Sequence, residues 1–261
     1  MRDQMISFQG KERPIDAYLV HPDSTPKGVV IVLHEIWGLD AHIKDVARRF
    51  SHEGYVALAP DMFSGPFKEA AKPDNIMAGM MFLRTASAEI QRDPAKLAEA
   101  LSDRSADEQA ALKTLMQIMS PAQRTLFAEE LTGAFEYLRG QDVPQNHIAS
   151  LGFCFGGGLA IHMATFVSKL WKTVIFYGEN PPLDKVPAIQ AQVLGLYGGK
   201  DARITDTVPE FQRAMEALEK PFTYKVYGGA QHAFFNNTRP MHNPAAAEDA
   251  WHEVLRFLDH D

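Results

Sequence analysis

Cysteine is nearly absent from this sequence, since Cys154 is the only one among 261 residues. A single cysteine excludes an intramolecular disulfide and is typical of proteins in reducing compartments. Long hydrophobic runs are missing as well, because no stretch approaches the ~20 apolar residues that a membrane-spanning helix needs. The opening segment also lacks the continuous apolar core of a signal peptide. We therefore expect a cytoplasmic protein that does not act at a membrane.

Positive charge is in short supply, with 26 Lys and Arg against 33 Asp and Glu and a formal net charge of -7. This balance provides no basic surface for nucleic acid, so we expect no nucleic-acid partner. Apolar residues make up 46% of the chain, which is enough to build a substantial core. The length fits a single large α/β domain. We predict one domain over residues 1–261, in a monomer or a homodimer.

Short apolar runs rich in Val, Ile and Tyr recur along the chain, as in strands that are covered on both faces of a sheet. Helical patterns lie between most of them, at 43–52, 211–218 and 245–258. This alternation predicts an α/β fold with a mostly parallel, doubly wound sheet. Residues 5–20, with Gly10 near the middle, predict an antiparallel hairpin at one edge. The predicted strands are residues 29–33, 55–59, 148–152, 173–177, 193–197 and 223–227.

Residues 66–120 interrupt this alternation, because they contain no strand-like run and are rich in good helix formers. Helix-start signals occur at 93–94, 105–108 and 120–123, where a capping residue precedes proline or stands three positions before Glu or Gln. We predict a helical cap insertion over about 66–120. Such insertions often cover the ligand crevice at the carboxyl ends of the strands. The alternative is a set of surface helices without a role in the site.

Cys154 lies at the centre of residues 150–158, which read Ser-Leu-Gly-Phe-Cys-Phe-Gly-Gly-Gly. A G-x-C-x-G core after an apolar run is the cysteine version of the nucleophile elbow, a sharp strand-to-helix turn that exposes a nucleophile above a sheet. Gly152 and Gly156 would let the strand and the helix pass closely. The alternative is a buried structural cysteine, because free cysteine is among the most buried residue types. The flanking glycines favour the nucleophile.

A base and an orienting acid follow Cys154 in the chain order of α/β hydrolases. Asp201 comes after predicted strand 193–197, and His232 comes after predicted strand 223–227. Alone, either would be interpreted as an ordinary turn or surface residue. Together, at strand ends where ligands bind such sheets, they predict a catalytic triad. His232 would take the thiol proton and later protonate the leaving group, while Asp201 fixes the imidazole.

The loop after predicted strand 29–33 reads His-Glu-Ile-Trp-Gly and would face the same crevice. An oxyanion needs two preorganised donors, and we predict the backbone N–H groups of Ile36 and Phe155. A carboxylate near an apolar strand end and a thiol has a tuned pKa, which makes Glu35 a candidate for tuning the thiol. The alternative for Glu35 is a solvated loop carboxylate.

Five motifs are distributed along the chain outside the predicted insertion. They are His-Glu-Ile-Trp-Gly at 34–38, Gly-Tyr-Val-Ala-Leu-Ala-Pro-Asp at 54–61, Gly-Phe-Cys-Phe-Gly-Gly at 152–157, Gly-Lys-Asp at 199–201 and His-Ala-Phe at 232–234. As a set they resemble the dienelactone hydrolase family, which is carboxymethylenebutenolidase-like and belongs to the α/β-hydrolase superfamily. The resemblance implies an α/β-hydrolase fold, no cofactor or metal, and Cys-His-Asp hydrolysis of an enol-lactone or related ester. It also implies that Glu35 communicates with the thiol.

Two departures from the family pattern concern the substrate. The best-known members bind a substrate carboxylate with arginines, one in the cap and one four residues after the catalytic histidine. This chain has an asparagine at the second position, and an amide cannot form the bidentate ion pair. The cap is also longer, so no cap arginine can be carried over. The candidate substrate-binding residues are Trp37, Arg84, Phe234, Asn236 and Arg239.

The sequence therefore predicts a cysteine-dependent carboxylic ester hydrolase that forms an acyl-enzyme with a small ester or lactone. The long, Met-rich insertion keeps a second hypothesis open, an esterase or thioesterase that acts on a larger acyl substrate. A non-catalytic binding protein on the hydrolase scaffold is the third, and the complete triad argues against it.

Overall fold

One twisted sheet with helices on both faces forms the framework of the fold. The computed structural model describes residues 1–259, except for the side chains of residues 88 and 91. The strands in these residues are β1 (Arg2–Gln9), β2 (Pro14–His21), β3 (Gly28–Leu33), β4 (Tyr55–Pro60), β5 (Ile148–Phe153), β6 (Lys172–Phe176), β7 (Gln192–Gly198) and β8 (Phe222–Tyr227). Their order across the sheet is β1-β2-β4-β3-β5-β6-β7-β8. The six predicted strands and the predicted hairpin are all present.

The sheet is antiparallel only at one edge, where β1 pairs with β2 and β2 pairs with β4. All other neighbours are parallel, which confirms the predicted mostly parallel sheet. The prediction that residues 223–227 are covered on both faces is wrong. β8 is the opposite edge strand, and Tyr224 and Val226 are 37% and 41% exposed.

Helices cover both faces of the sheet, as double winding requires. β3 shows this most directly, because Val29 and Ile31 join one buried cluster while Val30 and Val32 join the other. Among the described residues, no helix is both long and apolar enough to cross a membrane. The helices are α1 (Ala41–His52), α2 (Pro73–Thr85), α3 (Ala88–Arg92), α4 (Pro94–Leu101), α5 (Ala106–Met119), α6 (Pro121–Arg139), α7 (Phe155–Met163), α8 (Ala202–Thr205), α9 (Val208–Glu216) and α10 (Pro244–Asp259).

The predicted helical insertion is present between β4 and β5, and the capping signals begin three of its helices. Asp93 accepts hydrogen bonds from first-turn N–H groups of α4. Ser105 and Glu108 form a complete capping box at α5. At α6 the hydroxyl of Ser120 accepts from the N–H of Gln123 at 3.2 Å, but the Gln123 amide bonds a glutamine of α5 instead of reaching back. The insertion also has a small core of its own, formed by side chains of α2, α4 and α5.

Candidate active site

Cys154 occupies a strained turn between β5 and α7. Its backbone has φ 54° and ψ -115°, a left-handed conformation that a non-glycine residue rarely adopts. The turn is tight, because a Cβ at Gly152 would lie 2.0 Å from the carbonyl oxygen of Gly156. A Cβ at Gly156 would lie 2.4 Å from the carbonyl oxygen of Leu33. The two predicted glycines are therefore sterically required, and the half-buried thiol stands at the carboxyl end of β5.

Asp201 and His232 form a hydrogen-bonded pair at the carboxyl ends of β7 and β8. The Asp201 Oδ2 atom lies 2.5 Å from His232 Nδ1. Burial lowers the pKa of His232, but the hydrogen bond with Asp201 and the hydrogen bond and charge of Cys154 outweigh it and raise that pKa to about 10. Because Nδ1 donates to the carboxylate, Nε2 is the nitrogen available to the thiol. The three residues that the sequence predicted together lie in one cavity.

A cavity of about 610 Å³ surrounds this group and is called the catalytic cavity below. Its walls come from the carboxyl ends of the strands and from the helical insertion. The insertion contributes Met80, Arg84 and Met119 to the lining. The predicted insertion therefore lies over the site. The remaining lining residues are Ile36, Arg124, Cys154, Phe155, Gly158, Tyr177, Glu179, Asp201, Arg203, Ile204 and His232.

The two predicted oxyanion donors, Ile36 and Phe155, both line the catalytic cavity. Phe155 is the first residue of α7, so its N–H has no partner within the helix. The loop that carries Ile36 is fixed by His34, which is fully buried. The His34 Nδ1 atom donates to the Glu35 carbonyl at 2.6 Å, and its Nε2 atom accepts from the Met62 N–H at 3.0 Å. Burial lowers the pKa of His34, which suits this neutral tautomer.

The Glu35 side chain is 2% exposed, so it is not a solvated loop carboxylate. Its Oε2 atom accepts from Asn236 Nδ2 at 2.6 Å, and its Oε1 atom accepts from the Tyr177 hydroxyl at 3.2 Å. Burial raises the pKa of Glu35, although both hydrogen bonds oppose the rise. The carboxyl group is therefore held beside the site by two neutral donors.

Tyr177 connects Glu35 to the thiol and was missed in the sequence. It is fully buried, lines the catalytic cavity, and its ring centroid lies 5.2 Å from that of His232. Burial and the charges of Glu35 and Cys154 hold its pKa well above the usual value, so its hydroxyl remains a donor. A signal was present, because Tyr177 ends predicted strand 173–177. The strand-end rule that selected Asp201 would also have selected it.

Of the five candidate substrate-binding residues, Arg84 lines the catalytic cavity and the other four lie outside its lining. Asn236 and Phe234 are 0% exposed; the first holds Glu35 and the second packs between aromatic rings. The Arg239 guanidinium stacks 4.0 Å from the ring centroid of Trp37, and neither residue lines the cavity. Burial and stacking of these loop residues depend on tertiary packing, which the local sequence does not reveal.

A charged cluster on the cavity wall was also missed. Glu179, after β6, accepts hydrogen bonds from Arg124 of α6 and, at 2.9 Å, from Arg203 of α8. The charges of the two arginines lower the pKa of Glu179, although burial alone would raise it. Glu179 and Arg203 follow strand ends and could have been found there. Arg124 lies in the first turn of a helix, where no sequence signal marks it.

Known proteins of one family are similar to this chain. The model of the dienelactone hydrolase family matches residues 15–261. A protein of Saccharolobus solfataricus named "Putative carboxymethylenebutenolidase" is 38% identical over 259 residues, covering 98% of each chain. The structure of a dienelactone hydrolase-like promiscuous phosphotriesterase from metagenomic libraries has a TM-score of 0.71 at 20% identity, covering 98% of this chain and 97% of that one. Dienelactone hydrolase from Anabaena variabilis has a TM-score of 0.62 at 17% identity, with 98% and 95% covered.

Proposed function

This chain belongs to the dienelactone hydrolase family and is a hydrolase of that type, and on this premise we propose that it cleaves a carboxylic ester or lactone with Cys154 as the nucleophile. The observation that carries the proposal is the position of Cys154. The thiol stands on a strained turn, in the same cavity as the hydrogen-bonded pair of Asp201 and His232. A buried structural cysteine would need neither the turn nor the pair.

The reaction begins with the Cys154 thiolate and the His232 imidazolium, which Asp201 stabilises. Sulfur attacks the carbonyl carbon, and the carbonyl oxygen becomes an oxyanion that accepts hydrogen bonds from the N–H groups of Ile36 and Phe155. The oxyanion then collapses, the bond to the alkoxy oxygen breaks, and His232 gives its proton to that oxygen. His232 next takes a proton from water as the water oxygen attacks the thioester carbon. The C–S bond then breaks, which releases the acid and restores the Cys154 thiolate beside the His232 imidazolium.

Arg84 is the residue in the catalytic cavity best placed to select an anionic substrate. It belongs to α2, lines the cavity, and has no ion-pair partner within residues 1–259, whereas Arg124 and Arg203 are both paired with Glu179. An unpaired guanidinium in the same cavity as the thiol is suited to a carboxylate on the substrate. We therefore infer an ester or lactone that carries a negative group.

Replacing the nucleophile tests this function. In the Cys154→Ala variant, kcat/KM for p-nitrophenyl acetate should fall by roughly 10³-fold or more, because no acyl-enzyme forms. The unfolding temperature should stay close to that of the wild type, since the side chain is half-buried and small. Iodoacetamide should modify the wild type once and abolish its activity. Undiminished hydrolysis by the alanine variant would overturn the proposal, and a folded wild type inert toward esters, lactones and thioesters would favour a binding protein.

A further inference from the structure

A second chamber of about 520 Å³ adjoins the catalytic cavity. The two spaces share the lining residues Met119, Arg124, Gly158 and Glu179. Cys154, Asp201 and His232 do not line the second chamber, so it contains no reacting group. The Arg124–Glu179 ion pair forms the border between the two spaces. The second chamber lies on the side of this border that is formed by α6 and α7.

The walls of the second chamber are suited to an uncharged and partly apolar group. Leu159 and three prolines supply apolar surface, while Thr125, His162 and Asn180 supply polar atoms. Burial, together with the charges of Arg124 and Lys185, lowers the pKa of His162, so its imidazole is neutral at neutral pH. The two charged residues that line the chamber are paired with each other. A charged ligand would therefore meet no free opposite charge there.

Two polar atoms of residues that line this chamber lack partners. The Arg124 Nε atom and the Asn180 Oδ1 atom are buried without a hydrogen bond to any part of the described chain. Buried polar atoms without partners are uncommon, because each costs the desolvation of that group. One donor and one acceptor are thus available to a neutral ligand with a polar atom.

The position of the second chamber relative to His232 indicates which part of the substrate it binds. The leaving oxygen must lie near His232, from which it takes a proton, and the chamber does not include His232. The chamber instead borders Gly158, one turn along α7 from Cys154. The acyl group, which remains on the Cys154 sulfur after the first step, is therefore the part of the substrate that faces the border at Gly158.

Gly158 leaves space at the border of the two cavities. A Cβ built there would have Glu179 as its nearest neighbour, with the carbonyl oxygen at 3.4 Å, so the glycine is not required by packing. It lines both the catalytic cavity and the second chamber. We propose that the second chamber binds the acyl arm of the substrate, an uncharged medium-length alkyl or aryl chain that passes Gly158 and has room to carry one neutral polar group. This inference rests on the proposed ester hydrolysis at Cys154 and specifies its substrate class.

A chain-length series tests the assignment. With p-nitrophenyl acetate, butyrate, hexanoate and octanoate, kcat/KM of the wild type should rise with length, by up to about fourfold per buried methylene. Thr125 lines only the second chamber, and Thr125→Phe should fill it. The ratio of kcat/KM for octanoate to that for acetate should then fall by about tenfold or more. If Thr125→Phe is unstable, Thr125→Met tests the same point, because the methionine side chain is flexible.

Ala122→Phe is the matched control, because Ala122 is exposed on the same helix and lines neither cavity. Its octanoate-to-acetate ratio should equal that of the wild type. A wild-type series that does not rise with length, or a ratio unchanged in both Thr125 variants, would overturn the chamber assignment while leaving acetate hydrolysis intact. Hydrolysis that persists in Cys154→Ala would instead overturn the underlying function, so the two failures are distinguishable.

Discussion

At the scale of single residues, Asp201 controls the charge of His232. The carboxylate stabilises the imidazolium and helps raise the pKa of His232 to about 10. In Asp201→Asn the neutral amide removes this charge, so the pKa of His232 should fall and the alkaline limb of the kcat/KM profile should move to lower pH. At neutral pH, kcat/KM should drop by about 10³-fold or more. A pH profile from 5 to about 11 measures both effects.

Asp206→Asn is the control for this prediction. Asp206 is exposed and directly follows α8, the short helix that Asp201 directly precedes. It should leave the profile unchanged. If the alkaline limb of Asp201→Asn coincided with that of the wild type, Asp201 would not set the charge state of His232.

Glu35 is predicted to act through its ionisation. Burial raises its pKa above the ordinary value of 4.5, so the folded protein holds this proton more tightly than the unfolded chain. Its contribution to stability is therefore fully present below the unfolded pKa and is lost as pH rises through the folded pKa. Glu35→Gln cannot ionise, and its unfolding temperature relative to the wild type should rise as the pH increases above the ordinary glutamate pKa of 4.5.

The same variant tests whether Glu35 tunes the thiol. The pH profile of kcat/KM should change in shape, because the charge that reaches Cys154 through Tyr177 no longer depends on pH. Exposed Glu53 gives the control, and Glu53→Gln should alter neither measurement. A Glu35→Gln profile that overlays the wild type would make Glu35 a structural residue only.

The three proposed reacting residues could be selected from the sequence because each has a local signature. Cys154 is marked by flanking glycines, and Asp201 and His232 are marked by strand ends. Asn236 follows the histidine in a loop and was expected to face the substrate, and its amide is instead buried against Glu35. The Arg124–Glu179 pair joins residues 55 positions apart, and no local pattern reports such a contact.

At the scale of elements, hydrophobic periodicity and capping chemistry predicted the strands and the helices that flank them. Both signals are local, since they depend on the positions of apolar residues and on side chains that bond first-turn N–H groups. Exposure is not local, which is why edge strand β8 was predicted to be covered. The packing of α2 and α5 over the site, which brings Met80, Arg84 and Met119 to the wall of the catalytic cavity, likewise depends on contacts between distant segments.

At the scale of the whole molecule, one buried ion pair joins three parts of the fold. Glu130 of α6 is 1% exposed, and its Oε1 atom lies 3.7 Å from Arg13 Nε in the edge hairpin. Arg13 also donates to the carbonyl oxygens of Met62, at 2.8 Å, and Ser64, at 2.6 Å, in the loop that leads to the helical insertion. Gly10 leaves room for the carboxylate, because a Cβ there would lie 2.0 Å from Glu130 Oε2.

Glu130→Ala should therefore loosen the hairpin, α6 and the loop together. Removing one partner of a buried pair leaves the other charge uncompensated, and the free energy of unfolding should fall by about 3 kcal/mol or more. Thermal unfolding followed by circular dichroism should show a Tm lower by about 6 °C or more. Neighbouring Glu129 pairs with half-exposed Lys11, so Glu129→Ala should lower the free energy of unfolding much less than Glu130→Ala. Neither glutamate lines the catalytic cavity, so kcat/KM measured below the unfolding transition should match the wild type in both variants. Equal losses of unfolding free energy in the two variants would show that the Arg13–Glu130 pair does not join these parts.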